Sequence, residues 1–368
     1  LDCVADRRKT FGDDTLFLIG VALLEQGPDL EEDARLFAHC AGRDRPYCAA
    51  EELEKSKSFY DTIPSKAQTD AMIMKNKAKV APLTSTPSVA EIEQVAKAVR
   101  RRVLEYTLKN NGGYLSQACS SAETLATLYL KSLRLGPSVS PPIPPPFHGS
   151  PGPGIATITG EGYNGDNTSP HLDRLIFSPV HYALPLYSLL VEIGRLDVKA
   201  FESYNKDGST VELIGAEHSP GHAVTAGSLG QALSQAAGIA YARKVKHHTG
   251  RVFVYMSDGE MQEGQTWEAV QAMVFLRIEL TAVVDVNGQQ CDGKMESVCD
   301  VGSLGNKLRA FGAVVREVDG HNVHAIDEAL DRNNQSGPTF VLCYTDPCRG
   351  FPLLMEMAPK LHYIRFKN

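Results

Sequence analysis

Two side chains that carry oxygen ligands follow neighbouring apolar runs near the middle of the sequence. Asp258 comes shortly after the strand-like run 252–256, and Asn287 directly follows the β-branched run 281–286. A helical pattern lies between them, and a strand, helix, strand unit would bring both side chains beyond the carboxyl ends of a parallel sheet, where such sheets bind ligands. Carboxylate, amide and main-chain carbonyl oxygens are hard donors that suit Mg²⁺ and leave its other positions for phosphate and water.

A simpler interpretation of these residues is also open. Asp258-Gly259 and Asn287-Gly288 are ordinary turn dipeptides. A strand end capped by Asp258, followed by an unrelated Asn287, would give the same sequence pattern. The longer string DGEMQEGQTWEA, followed by Asn287 and then Asp292-Gly293, resembles the thiamine diphosphate signature of the transketolase family. In that family the Asp, the Asn and the carbonyl two residues beyond the Asn hold Mg²⁺ against the cofactor's diphosphate. The resemblance therefore implies that Asp258, Asn287 and the carbonyl of Gln289 bind the metal.

Three further segments extend this resemblance over roughly residues 88–362. The segment 173–196 resembles the family stretch with a diphosphate-side histidine, which His181 matches. The segment PGHAVTAGSLGQALSQ resembles the family's glycine-rich helix start, a loop that touches the aminopyrimidine end of the cofactor. A helix N-terminus with several glycines presents free amide groups and lets the backbone lie close to a ligand. The resemblance implies contacts from Gly227, Ser228 and Leu229, while helix capping by Ser228 is the structural alternative. The segment 338–363 matches His362 to the active-site histidine, and a frayed tail is the competing interpretation.

Other matched positions flank the metal ligands or depart from the family pattern. Ser257 and Gly259 border Asp258 on the diphosphate side, and Ser257 stands where the family usually has Gly. Glu263 matches an acidic residue that links cofactor sites across the family's dimer, although a Glu at a helix start is favourable in any protein. Tyr114 replaces a substrate-contacting histidine, and a pKa of ~10 makes tyrosine a poor proton shuttle at neutral pH. We therefore expect a different donor substrate.

The elements that position these residues alternate along the chain. Helical spacing covers residues 121–133, 181–194 and 227–246, and the last strand-like run is 339–344. Strand-like and helical patterns follow one another from residue 174 to residue 344, which predicts an α/β fold with a parallel sheet and helices on both faces. With the resemblance, this is the thiamine diphosphate-binding fold, its diphosphate domain. We assign residues 86–368 to that domain, including a Pro/Gly-rich loop at 137–154, and residues 1–85 to an N-terminal extension of unknown role. A capping box, Ser88 with Glu91, opens the first helix of the domain.

Composition excludes several classes of partner. The net charge of −7 argues against nucleic acid, and the basic run at 100–102 is interpreted as a solvated helix face. The apolar run at 16–24 is too short to cross a membrane and lacks the layout of a signal peptide. Eight cysteines form no CxxC pair, which favours reduced thiols in a cytoplasmic protein.

The activity that the resemblance implies is thiamine diphosphate-dependent transfer of a two-carbon unit from a ketose or 2-oxoacid donor to a small carbonyl acceptor. The family's activating Glu lies in a second, pyrimidine-binding domain, for which we find no match here. We therefore expect a heterotetramer with a separate pyrimidine-binding subunit, although a longer chain cut short would look the same. The alternatives are the alpha subunit of a 2-oxoacid dehydrogenase or decarboxylase, and a non-catalytic homologue.

Overall fold

The computed structural model describes residues 87–149, 160–331 and 337–366. The extension predicted at 1–85 lies outside these residues, as does the end of the Pro/Gly-rich loop. The described part of that loop, 137–149, contains no helix or strand. Residues 80–147 and 158–368 form one compact unit, and every element below belongs to it.

The centre of this unit is a five-stranded sheet in which all neighbouring pairs are parallel. The strand order is β1-β2-β3-β7-β6. Its strands are β1 (Arg174–Phe177), β2 (Val252–Ser257), β3 (Thr281–Val286), β6 (Val314–Asp319) and β7 (Thr339–Tyr344). A separate two-residue hairpin pairs β4 (Gln289–Gln290) with β5 (Gly293–Lys294). The predicted parallel α/β fold is confirmed.

Helices connect the strands. The longer ones are α1 (Val89–Asn110), α2 (Leu115–Thr127), α3 (Ala183–Glu192), α5 (Gln231–Val245), α6 (Gly264–Leu276), α8 (Leu304–Phe311) and α9 (Val323–Leu330). Two single turns are α4 (Val198–Phe201) and α7 (Met295–Val298), and 3₁₀ turns span Gly160–Asn164, Val180–Tyr182, Asp258–Gln262 and Pro352–Met357. A π-helical turn, Leu128–Ser132, continues α2.

Successive side chains of each strand point to opposite faces of the sheet, and both faces are covered. Phe253 and Tyr255 of β2 pack into a core formed with α1, α2 and α3, whereas Val254 and Met256 pack into a second core formed with α5, α6 and α8. Every residue of α2 is buried. Small side chains such as Ala118 and Ala122 let this helix approach its neighbours closely, which brings its polar residues up to the sheet.

Helix α1 begins as predicted, but the exposure of its basic run at residues 100–102 differs from the prediction. The Ser88 hydroxyl and the Glu91 carboxylate form the capping box. The interpretation of residues 100–102 as a solvated face is wrong for two of the three arginines. Arg100 is buried, and Arg102 is partly buried with its guanidinium on Glu192.

Several boundaries differ from the sequence patterns. The second helix begins at Leu115 rather than residue 121, and the segment 181–194 starts with a 3₁₀ turn before α3. In the described part of the chain, no helix combines the length and apolar character needed to cross a bilayer. The five cysteines there are all free.

Candidate active site

The ends of β2 and β3 meet at Asp258. The main-chain N–H of Gly288 donates to Asp258 Oδ2 at 2.7 Å, and the N–H of Gly259 donates to Oδ1 at 2.9 Å. The parallel register, which pairs Ser257 with Asp285, places both strand ends at the same edge of the sheet. The predicted proximity of Asp258 and the turn at Asn287 is therefore confirmed, and both carboxylate oxygens are fixed by main-chain donors.

A fully buried carboxylate, Asp285, organises the edge of the sheet behind this turn. It accepts hydrogen bonds from Ser120 Oγ at 2.6 Å, Tyr182 OH at 2.9 Å, Thr345 Oγ1 at 2.5 Å and Asn287 Nδ2 at 3.2 Å. Sequence reasoning missed this residue. The sequence does contain a sign of it, because Asp285 is a charged residue inside the otherwise β-branched and apolar run of β3. A charged side chain in a buried strand needs several hydrogen-bond partners.

The side-chain amide of Asn287 is oriented by this network. Its Nδ2 donates to Tyr182 OH at 2.8 Å as well as to Asp285, so the amide nitrogen faces two acceptors. Its Oδ1 accepts the N–H of Gln289 at 2.8 Å and keeps a second lone pair. The amide oxygen is thus held on the side of the turn that carries Gln289.

Burial makes the charge on Asp258 costly. Its side chain is almost inaccessible, and burial, followed by repulsion from Asp285, raises the pKa of Asp258 to about 7. Burial also raises the pKa of Asp285. Among residues 87–149, 160–331 and 337–366, neither carboxylate forms an ion pair with a Lys, Arg or His. A divalent cation would offset both charges.

The donors available for such a cation are mostly neutral oxygens. The described residues contain no cluster of three or more His, Cys, Asp or Glu that could hold a metal, so a ligand set here must combine Asp258 with amide and carbonyl oxygens. Gln289 opens the β4–β5 hairpin, and its buried Oε1 has no hydrogen-bond partner in the described structure. This donor set of one carboxylate, neutral oxygens and a buried oxygen without a partner fits Mg²⁺. Proteins usually bind Mg²⁺ through one or two carboxylates, and its other positions are occupied by water and phosphate.

Glu260 is a second buried carboxylate that sequence reasoning missed. It accepts hydrogen bonds from the hydroxyl of Ser178, the N–H of Gly230 at 3.0 Å and the N–H of Ser257 at 3.4 Å. Burial raises the pKa of Glu260. This side chain joins the end of β1, the glycine-rich loop and the end of β2, so the predicted cofactor segments are tied together by one residue.

The glycine-rich loop does not belong to α5. The helix begins at Gln231, whereas the sequence pattern predicted a start at Gly227; the difference arises because Gly230 has a φ of +84°. Gly227 and Ser228 are exposed and Leu229 is partly exposed. The helix therefore has no side-chain cap from Ser228. These residues form an accessible loop before the N-terminus of α5.

Gly230 also lets the glycine-rich loop lie close to Glu263. A Cβ atom on Gly230 would lie 2.8 Å from Glu263 Cβ, so no larger residue fits there without movement. Glu263 is exposed and precedes the first residue of α6. The predicted acidic residue therefore lies on the accessible side of the glycine-rich loop.

Three rings predicted at the reacting end of the site lie together. The ring centroid of His181 is 5.2 Å from that of His362 and 5.9 Å from that of Tyr114, and Tyr114 is 5.6 Å from His362. Burial, and then His362, lowers the pKa of His181 to about 3. Burial likewise lowers the pKa of His362 and raises that of Tyr114. All three side chains are therefore neutral near pH 7.

This ring cluster is connected to the turn at Asn287 through the adjacent residue Tyr182. His181 precedes Tyr182, whose ring centroid is 4.8 Å away and whose hydroxyl contacts Asn287 and Asp285. His362 is anchored rather than frayed, because its carbonyl accepts the side-chain N–H of Gln117 at 2.9 Å. Gly113 and Ile364 exchange two main-chain hydrogen bonds beside it. The competing interpretation of a loose tail is wrong.

Comparisons with known proteins match this arrangement. The family described as transketolase, thiamine diphosphate binding domain, matches residues 163–359. A putative uncharacterized transketolase family protein of Sinorhizobium fredii is 31% identical over 73% of this chain and 88% of its own length. A 6-deoxy-6-sulfo-D-fructose transketolase subunit of a Clostridium species is 28% identical over 71% of this chain and 86% of its own length.

Longer relatives match over part of their length. Human transketolase-like protein 2 is 30% identical over 72% of this chain, which covers 39% of that protein. The crystal structure of Campylobacter jejuni transketolase superimposes with a TM-score of 0.63 at 20% identity, over 76% of this chain and 41% of that one, which shows a shared fold. On these matches the chain belongs to the transketolase family, as a member that carries the thiamine diphosphate binding domain of these transferases.

Proposed function

We propose that this chain is the diphosphate-binding subunit of a transketolase-like enzyme that transfers a two-carbon ketol or acyl unit between small carbonyl compounds. The observation that carries the proposal is the joined edge of β2 and β3. There Asp258 and Asn287 are oriented as hard ligands, and the His181–His362 pair lies beside them through Tyr182. Binding of a phosphorylated cofactor and reaction at a neighbouring carbonyl require this combination of groups.

Mg²⁺ would be held by Asp258, Asn287 Oδ1 and the carbonyl of Gln289, with Asp285 fixing the amide of Asn287 from behind. Ser257, Gly259 and His181 border this position on the diphosphate side. The accessible loop of Gly227, Ser228 and Leu229, with Glu263 beside it, would contact the other end of the cofactor. The family match to the thiamine diphosphate binding domain supports this cofactor, and the uncompensated charge of Asp258 supports the cation.

The ring cluster would bind the substrate and transfer protons to and from it. Bound thiamine diphosphate supplies a nucleophilic carbon for attack on a carbonyl group. Because His181 and His362 have lowered pKa values, each imidazole is neutral at pH 7 and has one nitrogen that donates and one that accepts. A neutral imidazole can therefore stabilise a developing alkoxide by donating a hydrogen bond from its N–H, and its other nitrogen can accept the proton of a substrate hydroxyl group. Tyr114 would donate a hydrogen bond and keep its proton.

A separate pyrimidine-binding subunit would complete the site, most simply as a cytoplasmic heterotetramer. Support comes from relatives whose names describe subunits and most of whose length this chain covers. These are the Clostridium transketolase subunit, covered over 86% of its length, and an apulose-4-phosphate transketolase subunit from Actinobacillus succinogenes, covered over 91%. Tyr114 at the substrate end favours a donor other than the usual ketose phosphates.

The test is coexpression with a candidate partner subunit, followed by calorimetry with thiamine diphosphate and Mg²⁺ and by assays with ketose phosphates, hydroxypyruvate and pyruvate. We expect the chain alone to be inactive and the complex to turn over at least one donor. Asp258→Ala should abolish cofactor binding in the complex while circular dichroism stays unchanged. Activity of the isolated chain would overturn the partner requirement. Copurification with a lipoyl-bearing acyltransferase would indicate a 2-oxoacid dehydrogenase. Absence of cofactor binding by the complex would indicate a non-catalytic homologue.

A further inference from the structure

A basic cavity of about 390 Å³ opens between α1 and the loop that follows β7. It lies outside the site described above and shares none of its residues. The charged groups that line it are Lys97, Arg100, Arg101, Glu123, His321 and Arg349, with Glu93 as a further carboxylate. The volume is within the range of small-molecule sites.

The three cations on α1 share one face of the helix. Lys97 is three positions from Arg100 and four from Arg101, a spacing that brings side chains together on a helix surface. Like charges at this spacing destabilise a helix unless an anion lies between them. Arg101 has an ion pair with Glu105 at 3.8 Å, but both side chains are largely exposed, so the pairing is weak. No ion pair or side-chain hydrogen bond engages Lys97 in the described structure.

Arg100 forms the floor of the cavity and is only 6% exposed. Its Nε and Nη2 donate to the carbonyl of Cys119, and Nη2 also contacts the carboxylate of Glu123. No hydrogen bond to a described residue uses its Nη1, although the side chain lines the cavity. A buried guanidinium that lines a cavity and keeps two N–H donors without a partner among the described residues is a recognition group for planar or tetrahedral oxyanions.

The carboxylate beside Arg100 is already neutralised. Glu123 Oε2 accepts from Arg100 and lies 3.1 Å from His321 Nδ1, and these partners lower the pKa of Glu123 against the effect of burial. His321 Nε2 accepts the N–H of Asp346 at 2.8 Å, so the Nδ1 of a neutral ring carries the proton toward Glu123. Arg349 on the opposite wall has no side-chain partner among the described residues. The groups that remain are Lys97, Arg101 and Arg349 against Glu93, so the cavity keeps a net positive charge.

We propose that this cavity binds a small phosphate dianion, either free phosphate or the phosphate of a small monoester. Arg100 Nη1 would donate from the floor, while Lys97 and Arg349 would close on the anion from opposite walls. Leu104 and Phe351 line the same cavity and offer an apolar side to the carbon skeleton of an ester. The ligand is separate from the cofactor, and its binding does not require the transferase activity proposed above.

The test is titration calorimetry of the full chain, without Mg²⁺, with inorganic phosphate and, in separate arms, glycerol 3-phosphate and glycerol. The cavity variant is Lys97→Ala/Arg349→Ala, which leaves buried Arg100 in place. The matched control is Lys199→Ala/Lys206→Ala, which removes the same charge from another surface. We expect the cavity variant to weaken phosphate binding about tenfold or more, because the anion loses two charge-assisted hydrogen bonds. The control should bind as the wild type does.

The arms separate the sources of the anion. Tighter binding of glycerol 3-phosphate than of phosphate would identify an ester as the ligand, equal binding would identify free phosphate, and glycerol alone should not bind. Thermal unfolding of both double variants near the wild-type temperature confirms that the fold is intact. Equal phosphate affinity in the cavity variant and the control would overturn the proposal, since phosphate held at the cofactor end is unaffected by either variant. Absence of phosphate binding to the wild type would overturn it as well.

Discussion

The main-chain N–H of Gly288 donates to Asp258 Oδ2 at 2.7 Å and so joins the ends of two neighbouring strands across 30 positions of sequence. The carboxylate is held in place by the backbone before any ligand arrives. The charge of Asp258 is buried without a cation among the described residues, and the metal proposed above would offset this cost.

The stability of the metal-free chain should depend on the protonation of Asp258. Its pKa is raised from 3.8 to about 7, so the folded chain binds this proton more tightly than the unfolded chain. Stability should therefore rise as the pH falls from about 7 toward about 4, and this contribution is lost above pH 7. At about 1.4 kcal/mol per pKa unit, the upper limit is about 4 kcal/mol. Urea unfolding of Asp258→Asn at pH 5 and pH 8 should show a smaller difference than the wild type.

Asp285 and Glu260 also have raised pKa values, so Asp258→Asn should flatten the pH dependence without abolishing it. Asp207→Asn, at an exposed position, is the control and should keep the wild-type difference. If Asp258→Asn left the difference in unfolding free energy between pH 5 and pH 8 unchanged, the buried charge of Asp258 would not be the source of the pH dependence.

Two threonines of the β7 segment give a matched pair for the Asp285 network. Thr345 Oγ1 donates to Asp285 Oδ1 at 2.5 Å, whereas the buried Thr339 Oγ1 has no hydrogen-bond partner in the described structure. Thr345→Val should lower the free energy of unfolding by about 1–2 kcal/mol, because a buried acceptor loses a donor. Thr339→Val should be neutral or slightly stabilising. Denaturant unfolding measures both, and equal losses would contradict a specific role for the network.

Tyr182 should matter for the cofactor more than for the fold. Its hydroxyl accepts from Asn287 and donates to Asp285, which fixes the orientation of a proposed metal ligand. Tyr182→Phe should weaken Mg²⁺-dependent thiamine diphosphate binding by about 10 to 100-fold in the complex with the partner subunit. Tyr204→Phe is the control, since its buried hydroxyl has no partner in the described structure. Calorimetry that gave the same affinity for both variants would rule out this orienting role.

His362 should contribute to turnover rather than to cofactor affinity. His362→Gln keeps a polar side chain of similar size but cannot exchange a proton, so kcat of the complex should fall by about 10²-fold or more. Cofactor affinity should stay within a few-fold of the wild type. His324→Gln, on the exposed surface of α9, should leave kcat unchanged. A His362→Gln variant with full kcat would remove this residue from the reaction.

The sequence patterns predicted the centre of the sheet well because β1, β2, β3 and β7 are almost wholly buried on both faces. β3 and β7 have their predicted bounds, since β-branched and apolar runs bounded by turn residues leave few alternatives. The start of α5 was predicted too early because the glycine-rich loop continues the helical spacing of its apolar residues. Only Gly230, with its positive φ, separates loop from helix.

The polar network at the sheet edge was beyond prediction from sequence. Asp285 collects donors from α2, from the 3₁₀ turn before α3, and from the segment after β7. No local spacing links these positions, because the contacts form only when the chain folds. The ring cluster was predicted by resemblance, and the structure shows that the three residues meet, with their chemical roles still a prediction.

The hydrogen bond between Gln117 and the carbonyl of His362 joins residues 245 positions apart. Residues 361–364 follow every strand of the sheet, so during synthesis on the ribosome the sheet and the Asp258 edge can fold before His362 emerges. Contacts of such long separation form slowly. A nascent or proteolytically shortened chain would therefore keep the proposed diphosphate site while lacking the imidazole of His362, so cofactor binding alone would not show that the proposed active site is complete.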